Sequence, residues 1–424
     1  MGAFGINHKY WFKNSSYLNT TLAISKRGLK LSTDRLDDSS ELQPENYINN
    51  RNYNITFKTI LNKKISSKHT NKTGLTVRFL GYNLLLKEKE NNTNSLNVLA
   101  VENGFSSLIS AYSNSSFSLK KWKLNIGINS QLFTLNNSTT IEPRLATSYQ
   151  LNKNSKLSFG YGMHSRIEPL NIYFANTVNS ASLKANKELG FSKAHHFVFA
   201  YDWSISKKLH LKIEPYYQHL YNIPIIKNST TSLLNLQNDW FINDAFENSG
   251  KGKNYGLDLT LEQYINDGFY FLFSGSIFNS KYKTDSNKWH NTRFNKNYLF
   301  NALAGKEFRV GKNKTNLLSA NIRFSFQGGD RISIIDNESS INQKDVIYNE
   351  TNPFTEQVES GFITHITINY EWYKKKTTKK LSLKILNATN YKEFLGHRFN
   401  LKTNKIEDYR EALMIPNISY KISF

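Results

Sequence analysis

Residues 416–424 read PNISYKISF, and in them Ile418, Tyr420, Ile422 and Phe424 alternate strictly with Asn417, Ser419, Lys421 and Ser423. A period of two is the pattern of a strand with one apolar and one polar face. Chain ends ordinarily fray into water, so an apolar last residue predicts that this strand is held in something apolar. That something is a protein core or a lipid bilayer.

The same alternation recurs along the chain. Leu157, Phe159, Tyr161 and Met163 alternate with Lys156, Ser158, Gly160 and Gly162, and Trp122, Leu124, Ile126 and Ile128 with Lys123, Asn125, Gly127 and Asn129. Tyr255, Leu257, Leu259 and Leu261 stand against Gly256, Asp258, Thr260 and Glu262; Ala320, Ile322, Phe324 and Phe326 stand against Asn321, Arg323, Ser325 and Gln327. Between Phe362 and Trp372 the apolar set is Phe362, Ile366, Ile368, Tyr370 and Trp372. Helical spacing is nowhere comparably sustained. About 17 such segments of about 9 to 12 residues are readable, the length a tilted strand needs to cross a bilayer. Their apolar faces often end in Tyr or Trp, as aromatic girdles at a membrane interface do.

Composition agrees. Hydrophobic residues make up 39% of the 424 residues, while aromatic residues reach 14%, with 24 Tyr and 28 Phe; mean hydropathy is −0.54. The apolar material is thus concentrated in types that suit strands. No apolar run is long enough for a transmembrane helix, and no linker or compositional shift divides the chain, so a single architecture over 1–424 is expected. The opening MGAFGINHKYWFKNSS has no basic stretch followed by an apolar one, so no signal peptide is expected in it. The absence of cysteine excludes disulfides, thiolate metal sites and thiol catalysis.

A soluble sandwich would also alternate; the connections separate the two readings. Short polar turns are predicted near Lys13–Ser16, Lys120–Lys121, Asn152–Ser155, Ser204–Lys208, Asn266-Asp267-Gly268, Gly311–Asn316 and Lys374–Lys380. Between them lie long Asn- and Ser-rich loops at 33–48, 88–104, 174–190, 224–252, 281–295, 328–357 and 388–412. Short and long connections taking turns is the pattern of an outer-membrane barrel; a sandwich does not require it. If the last strand ends on the short-turn rim, an odd count of about 17 puts the N-terminus on the long-loop rim. Single-chain bacterial barrels have even counts, and open edges in lipid are costly, so a count off by one or an N-terminal truncation is expected.

KGKNYGLDLTLEQYINDGFYFLFSGSIFNSKY (251–282), RFNKNYLFNALAGKEFRVGKNKTN (293–316), SLKILNATNYKEF (382–394) and the closing IPNISYKISF resemble the C-terminal barrel region of TonB-dependent receptors from the Bacteroidetes. IEPRLATSYQL, YGMHSRIEPLNIYF and IEPYYQHLYNIPI resemble further barrel segments of the subgroup that carries a carboxypeptidase-like regulatory domain. The resemblance implies a plugged barrel of about 22 strands, coupled to TonB, that takes up a siderophore, cobalamin, peptide or glycan. Against that pattern the chain shows no plug, TonB box or regulatory domain. The fold expected is therefore an all-β transmembrane antiparallel β-barrel with about 16 to 18 strands present, an incomplete part of the larger barrel. TonB would act only through a plug outside this sequence. The resemblance also implies that Tyr420, Ile422 and Phe424 form the signal read by the barrel-insertion machinery; a lipid-facing last strand would need apolar residues there in any case. A non-transporting surface adhesin or ligand-binding barrel, or a passive porin, are the alternatives. The extracellular ligand is left open, with selectivity expected in loops such as 224–252 and 328–357.

The net charge of +22 and pI near 9.7 raise the question of nucleic acid. Lys and Asn are spread over turns and polar strand faces, as in KKWK, VGKNKTN and YKKKTTKK, without forming one stripe, so no nucleic-acid partner is expected. Attraction to outer-membrane lipid and lipopolysaccharide phosphates is. Catalytic signals are weak. His195 and His196 are adjacent on a strand and point to opposite faces, so they cannot chelate side by side. Glu142, Glu168 and Glu214 each precede a proline and read as strand ends. Gly328-Gly329-Asp330 reads as a turn opening a long loop. No enzyme, metal or cofactor is expected.

Overall fold

The computed structural model describes all residues except 14, 37–40, 90–94, 178, 179, 181, 237–239 and 287. Five short strands, β13 His290–Asn291, β16 Arg331–Ile332, β17 Glu356–Gln357, β20 Glu393–Asn400 and β21 Lys405–Glu411, lie in connections. The wall consists of β1 Gly2–Phe12, β2 Ser16–Leu36, β3 Leu42–Lys64, β4 His69–Lys89, β5 Leu96–Leu119, β6 Trp122–Phe133, β7 Ser138–Gln150, β8 Ser155–Arg166 and β9 Ser192–Ser204. It continues with β10 Leu209–Ile225, β11 Glu247–Asn266, β12 Phe269–Lys283, β14 Tyr298–Val310, β15 Asn316–Gln327, β18 Gly361–Tyr373, β19 Thr378–Leu386 and β22 Ile415–Ser423. The large sheet has 18 strands including the two-residue β13, so seventeen make the wall, as the alternation predicted. Each pairs antiparallel with its predecessor and successor in the wall. β1 pairs only with β2 and β22 only with β19. Two helices of the connections, α1 Leu170–Phe174 and α2 Asn337–Gln343, are short. No described helix is long and apolar enough to cross a membrane.

Outward faces follow the predicted apolar sets. Leu257 of β11 sits opposite Ile277 of β12, and both are exposed; the intervening Asp258 and Ser276 face the lumen, where the Ser276 hydroxyl donates to Asp258 at 2.6 Å. Lumen aromatics lie over cross-strand glycines. A Cβ on Gly305 would stand 2.3 Å from the Tyr270 ring, and one on Gly74 would stand 2.6 Å from the Tyr112 ring. A missing side chain on one strand thus makes room for a large one on the next.

The short turns fall where they were predicted, although residue 14 of the first lies outside the described residues. At Asp267-Gly268 both residues have positive φ, 49° and 79°, the two-residue turn whose twist suits a hairpin. A further short turn joins β3 to β4 through Ile65–Lys68.

In two of the expected long loops, 33–48 and 88–104, most of the described residues are instead strand. β2 and β3 stay paired, across a register shift at Thr33/Asp34, up to Leu36 opposite Leu42, and β4 and β5, across a shift at Leu86/Lys87, up to Lys89 opposite Leu96. A ladder satisfies backbone amides as well in water as in lipid, and above a membrane both faces of a hairpin tolerate Asn, Ser and Glu. Polar composition therefore hid the strand. The loop at 388–412 likewise contains the β20–β21 hairpin.

Nearly all tight packing lies near the long-loop rim. Ile48 of β3, Leu80, Tyr82, Leu84 and Leu86 of β4, and Phe133 of β6 form the inner face of the tall strands, and Tyr173 and Phe174 of α1 pack on them. Tyr82 and Phe174 have ring centroids 4.5 Å apart, Phe133 and Tyr173 5.4 Å. The sequence signal for α1 is the break in alternation at LNIYF behind Pro169, a residue favoured where helices begin.

Candidate functional site

The long-loop rim encloses a cavity of about 650 Å³. Its walls come from the two loops expected to carry selectivity: Leu233, Trp240 and Phe246 from one, and Arg331, Tyr348 and Phe354 from the other. Leu31 and Ile48, at the top of the β2–β3 ladder, complete one side, and Tyr282 at the end of β12 another.

Hydrogen bonds fix the loops around the space. The Tyr282 hydroxyl donates to the Thr230 carbonyl at 2.8 Å, and the Thr230 hydroxyl donates to the Glu350 carbonyl at 2.5 Å, joining the two loops. Arg331 donates to the side-chain oxygen of Asn297 at 2.7 Å and to the Asn295 carbonyl at 3.2 Å. The Arg293 backbone N–H donates to the Asn235 side-chain oxygen at 3.1 Å, and its guanidinium to the Asn235 carbonyl at 3.3 Å. Both guanidiniums thus rest on neutral oxygens, and no described carboxylate forms an ion pair with either. The buried Asn235 amide nitrogen makes no hydrogen bond of ordinary geometry, and it belongs to the cavity lining. The Tyr282 phenol, on which the Asn235 side chain acts, lines the same cavity.

Burial governs the titrating groups here. It pushes the Tyr282 phenol far above its ordinary range and raises Tyr348 as well, against the pull of Arg293. It also lowers Arg331, and lowers His290, where Lys288 adds to the effect. Asp244 and Glu350 line the same cavity. Aromatic faces, two arginines and two carboxylates therefore share one space, which suits a compact ligand with a flat apolar body and polar groups at its edges.

Gly328 and Gly329 open the second loop as a close backbone crossing. A Cβ on Gly328 would lie 1.8 Å from the Lys296 carbonyl oxygen, and one on Gly329 2.0 Å from that of Val358. Only glycine lets this loop cross there and turn over the cavity. The three Glu-Pro carboxylates are not brought together. Glu142 accepts from Asn129 at 2.9 Å and from Arg144 at 2.8 Å. Glu168 accepts from the Ser192 hydroxyl, and Glu214 lies 2.7 Å from Lys212. Each is held by its own neighbours. His195 and His196 separate as predicted: His195 takes part in a 3.0 Å hydrogen bond with the Tyr161 hydroxyl, while the His196 ring packs on His164, 4.7 Å away. No group of three or more metal-ligating side chains occurs among the described residues.

Tyr420 and Ile422 lie on β22 opposite Leu381 and Lys379 of β19, and Phe424 follows the end of the strand on the short-turn rim. All three are exposed.

No family profile matches the chain, and no curated protein matches its sequence. Solved structures do match. The FpvA of Pseudomonas aeruginosa bound to a heterologous pyoverdine superimposes with TM-score 0.70 at 11% identity, over 99% of this chain and 56% of that one. The outer membrane transporter YddB of Escherichia coli gives 0.66 at 12%, over 99% and 62%. The ferric yersiniabactin uptake receptor FyuA of Yersinia pestis gives 0.66 at 11%, over 100% and 61%. The chain therefore spans between 56% and 62% of the length of these proteins. Identity this low speaks for fold alone, and the fold is that of the β-barrel of an outer-membrane receptor.

Proposed function

We propose that this chain is the barrel of an outer-membrane transporter that captures a scarce small nutrient in the rim cavity. The observation that carries the reading is the convergence of the two long loops on one aromatic cavity at the outer end of a membrane-type barrel. The matched structures include proteins described as binding ferripyoverdine and taking up ferric yersiniabactin; ferric chelates are accordingly the first ligands to test. The resemblance to TonB-dependent receptors of the Bacteroidetes supports energised uptake, with TonB acting through a plug outside these 424 residues. In the same reading Tyr420, Ile422 and Phe424 present the closing strand to the insertion machinery.

Trp240 lines the cavity, so ligand binding should change its fluorescence. Ferripyoverdine, ferric citrate, ferric yersiniabactin and cobalamin would be titrated into the protein in liposomes. At least one should quench the signal, Trp240→Phe should abolish the change, and Arg331→Gln should weaken binding about tenfold. The reading is overturned if none binds and cells lacking the protein take up all four at the parental rate.

A further inference from the structure

Outside the cavity, the outward face of β10, β11 and β12 carries a second built feature just above the aromatic row. Tyr217 lies opposite Tyr255, and both rings are exposed. On β11 and β12 this row marks the upper limit of the outward apolar band, which runs below it through Leu257 and Ile277; on β10 the aromatic series continues to Tyr221, stacked on His219 at 6.1 Å. One same-face step higher, about 7 Å along the strand, His219 lies opposite Lys253, and Lys253 lies opposite Lys281. Another step higher, Lys251 lies opposite Lys283. Two rows of directly opposed lysines are thus stacked on one face of the β11–β12 hairpin. Like charges directly opposite on adjacent strands repel. No described carboxylate forms an ion pair with Lys251, Lys253 or Lys281. The acid on this face of β11, Glu247, accepts a hydrogen bond from Ser249 at 2.8 Å. Trp289 organises the patch, with the ammonium groups of Lys253 and Lys283 at 4.1 and 5.5 Å from its ring.

The height of the patch identifies what relieves the repulsion. The polar layer of a bilayer leaflet is only about 5–8 Å deep, so a row one step above the girdle lies among lipid headgroups. We propose that this lysine cradle binds the phosphate groups of an outer-leaflet glycolipid. Several ammonium groups around one phosphate act as converging point charges, and the Trp289 indole occupies the interfacial position that aromatic rings favour. The inference rests on the outer-membrane reading and is independent of transport.

The test is native mass spectrometry of the detergent-extracted barrel with diphosphoryl lipid A, with the same lipid stripped of its phosphates, and with inorganic phosphate. Diphosphoryl lipid A should bind at least about tenfold more tightly than the stripped lipid, and millimolar inorganic phosphate should not displace it. The triple variant Lys251→Gln, Lys253→Gln, Lys281→Gln should bind the two lipids alike, whereas Lys374→Gln, Lys375→Gln, Lys376→Gln on the opposite rim should keep the discrimination. Heat-modified gel mobility reports whether each variant is folded. If the triple variant does not fold, the wild-type comparison of the two lipids decides. Equal affinity for both lipids, or displacement by free phosphate, overturns the proposal. Either result leaves the cavity reading standing, just as a failure of every cavity ligand would leave the lipid result standing.

Discussion

The two halves of the molecule are held together differently. Toward the long-loop rim, Tyr173 and Phe174 are fully buried against Tyr82, Phe133 and their neighbours, as in the core of a soluble domain. The spanning wall below has almost no buried side chains: its outward residues, such as Ile277 at 61% and Ile418 at 74% exposure, have no protein cover. The upper half generates its own apolar environment by packing, while the lower half relies on lipid for its outward face and on ladder hydrogen bonds for its backbone. Damage to one half should therefore leave the other measurable.

The largest expected effect is in the upper half. Phe174→Ala removes a ring from a closed core and should cost that half about 3–5 kcal/mol, read as rapid proteolysis of 167–191 and 226–246 while gel mobility still shows a folded barrel. If barrel and loops were lost together, the two halves would be one cooperative unit. Next is the wall: Leu259→Arg on the outward face should cost about 2–4 kcal/mol near mid-bilayer, and Thr260→Arg on the lumen side about 0.5 kcal/mol or less. Denaturant unfolding from vesicles measures both; equal losses would mean that the outward face does not meet lipid. Gly305→Ala forces the Tyr270 ring off its neighbour and should cost about 1–3 kcal/mol in the same assay, with no effect on loop proteolysis. The smallest effect is a pH response in the upper half. Asp336 accepts from the Ser339 backbone N–H at 3.0 Å and from its hydroxyl at 2.8 Å, capping α2, and these bonds hold its carboxyl below the ordinary value. A depressed carboxylate contributes fully above that ordinary value and ceases to as pH falls through the depressed one. The protection factor of the Ser339 amide, its exchange rate relative to an unstructured amide at the same pH, should therefore fall below about pH 4 while wall amides keep theirs; an unchanged protection factor at about pH 2 would exclude the cap.

The wall was legible because a two-residue period survives any choice of polar partner, so Leu257 and Ile277 could be placed outward without knowing what they face. The tops of β2–β5 were not, because in water both faces of a hairpin accept polar residues and the period fades. Leu80, Tyr82, Leu84 and Leu86 do alternate, yet their burial depends on α1, eighty-odd residues further on, and no local pattern records that. The cavity was half legible. The loops that form it stood out by length and composition, but the junction of Thr230 with Glu350 and the contact of Arg293 with Asn235 exist only once the loops have met. The lysine cradle was invisible for a related reason: Lys251 and Lys283 become neighbours only through the register of a hairpin.

The meander has a kinetic consequence. Each wall strand pairs with the one before and the one after it, so the sheet can grow by adding one hairpin at a time, each closing only the loop between consecutive strands. Loop-closure entropy rises slowly with length, and the eight short turns make half of these steps local. For an all-β protein of this size such assembly avoids the slow search that distant strand pairing imposes. At Asp267-Gly268 the turn holds the positive φ values that a two-residue hairpin requires, so β11 and β12 can zip without waiting for any other strand.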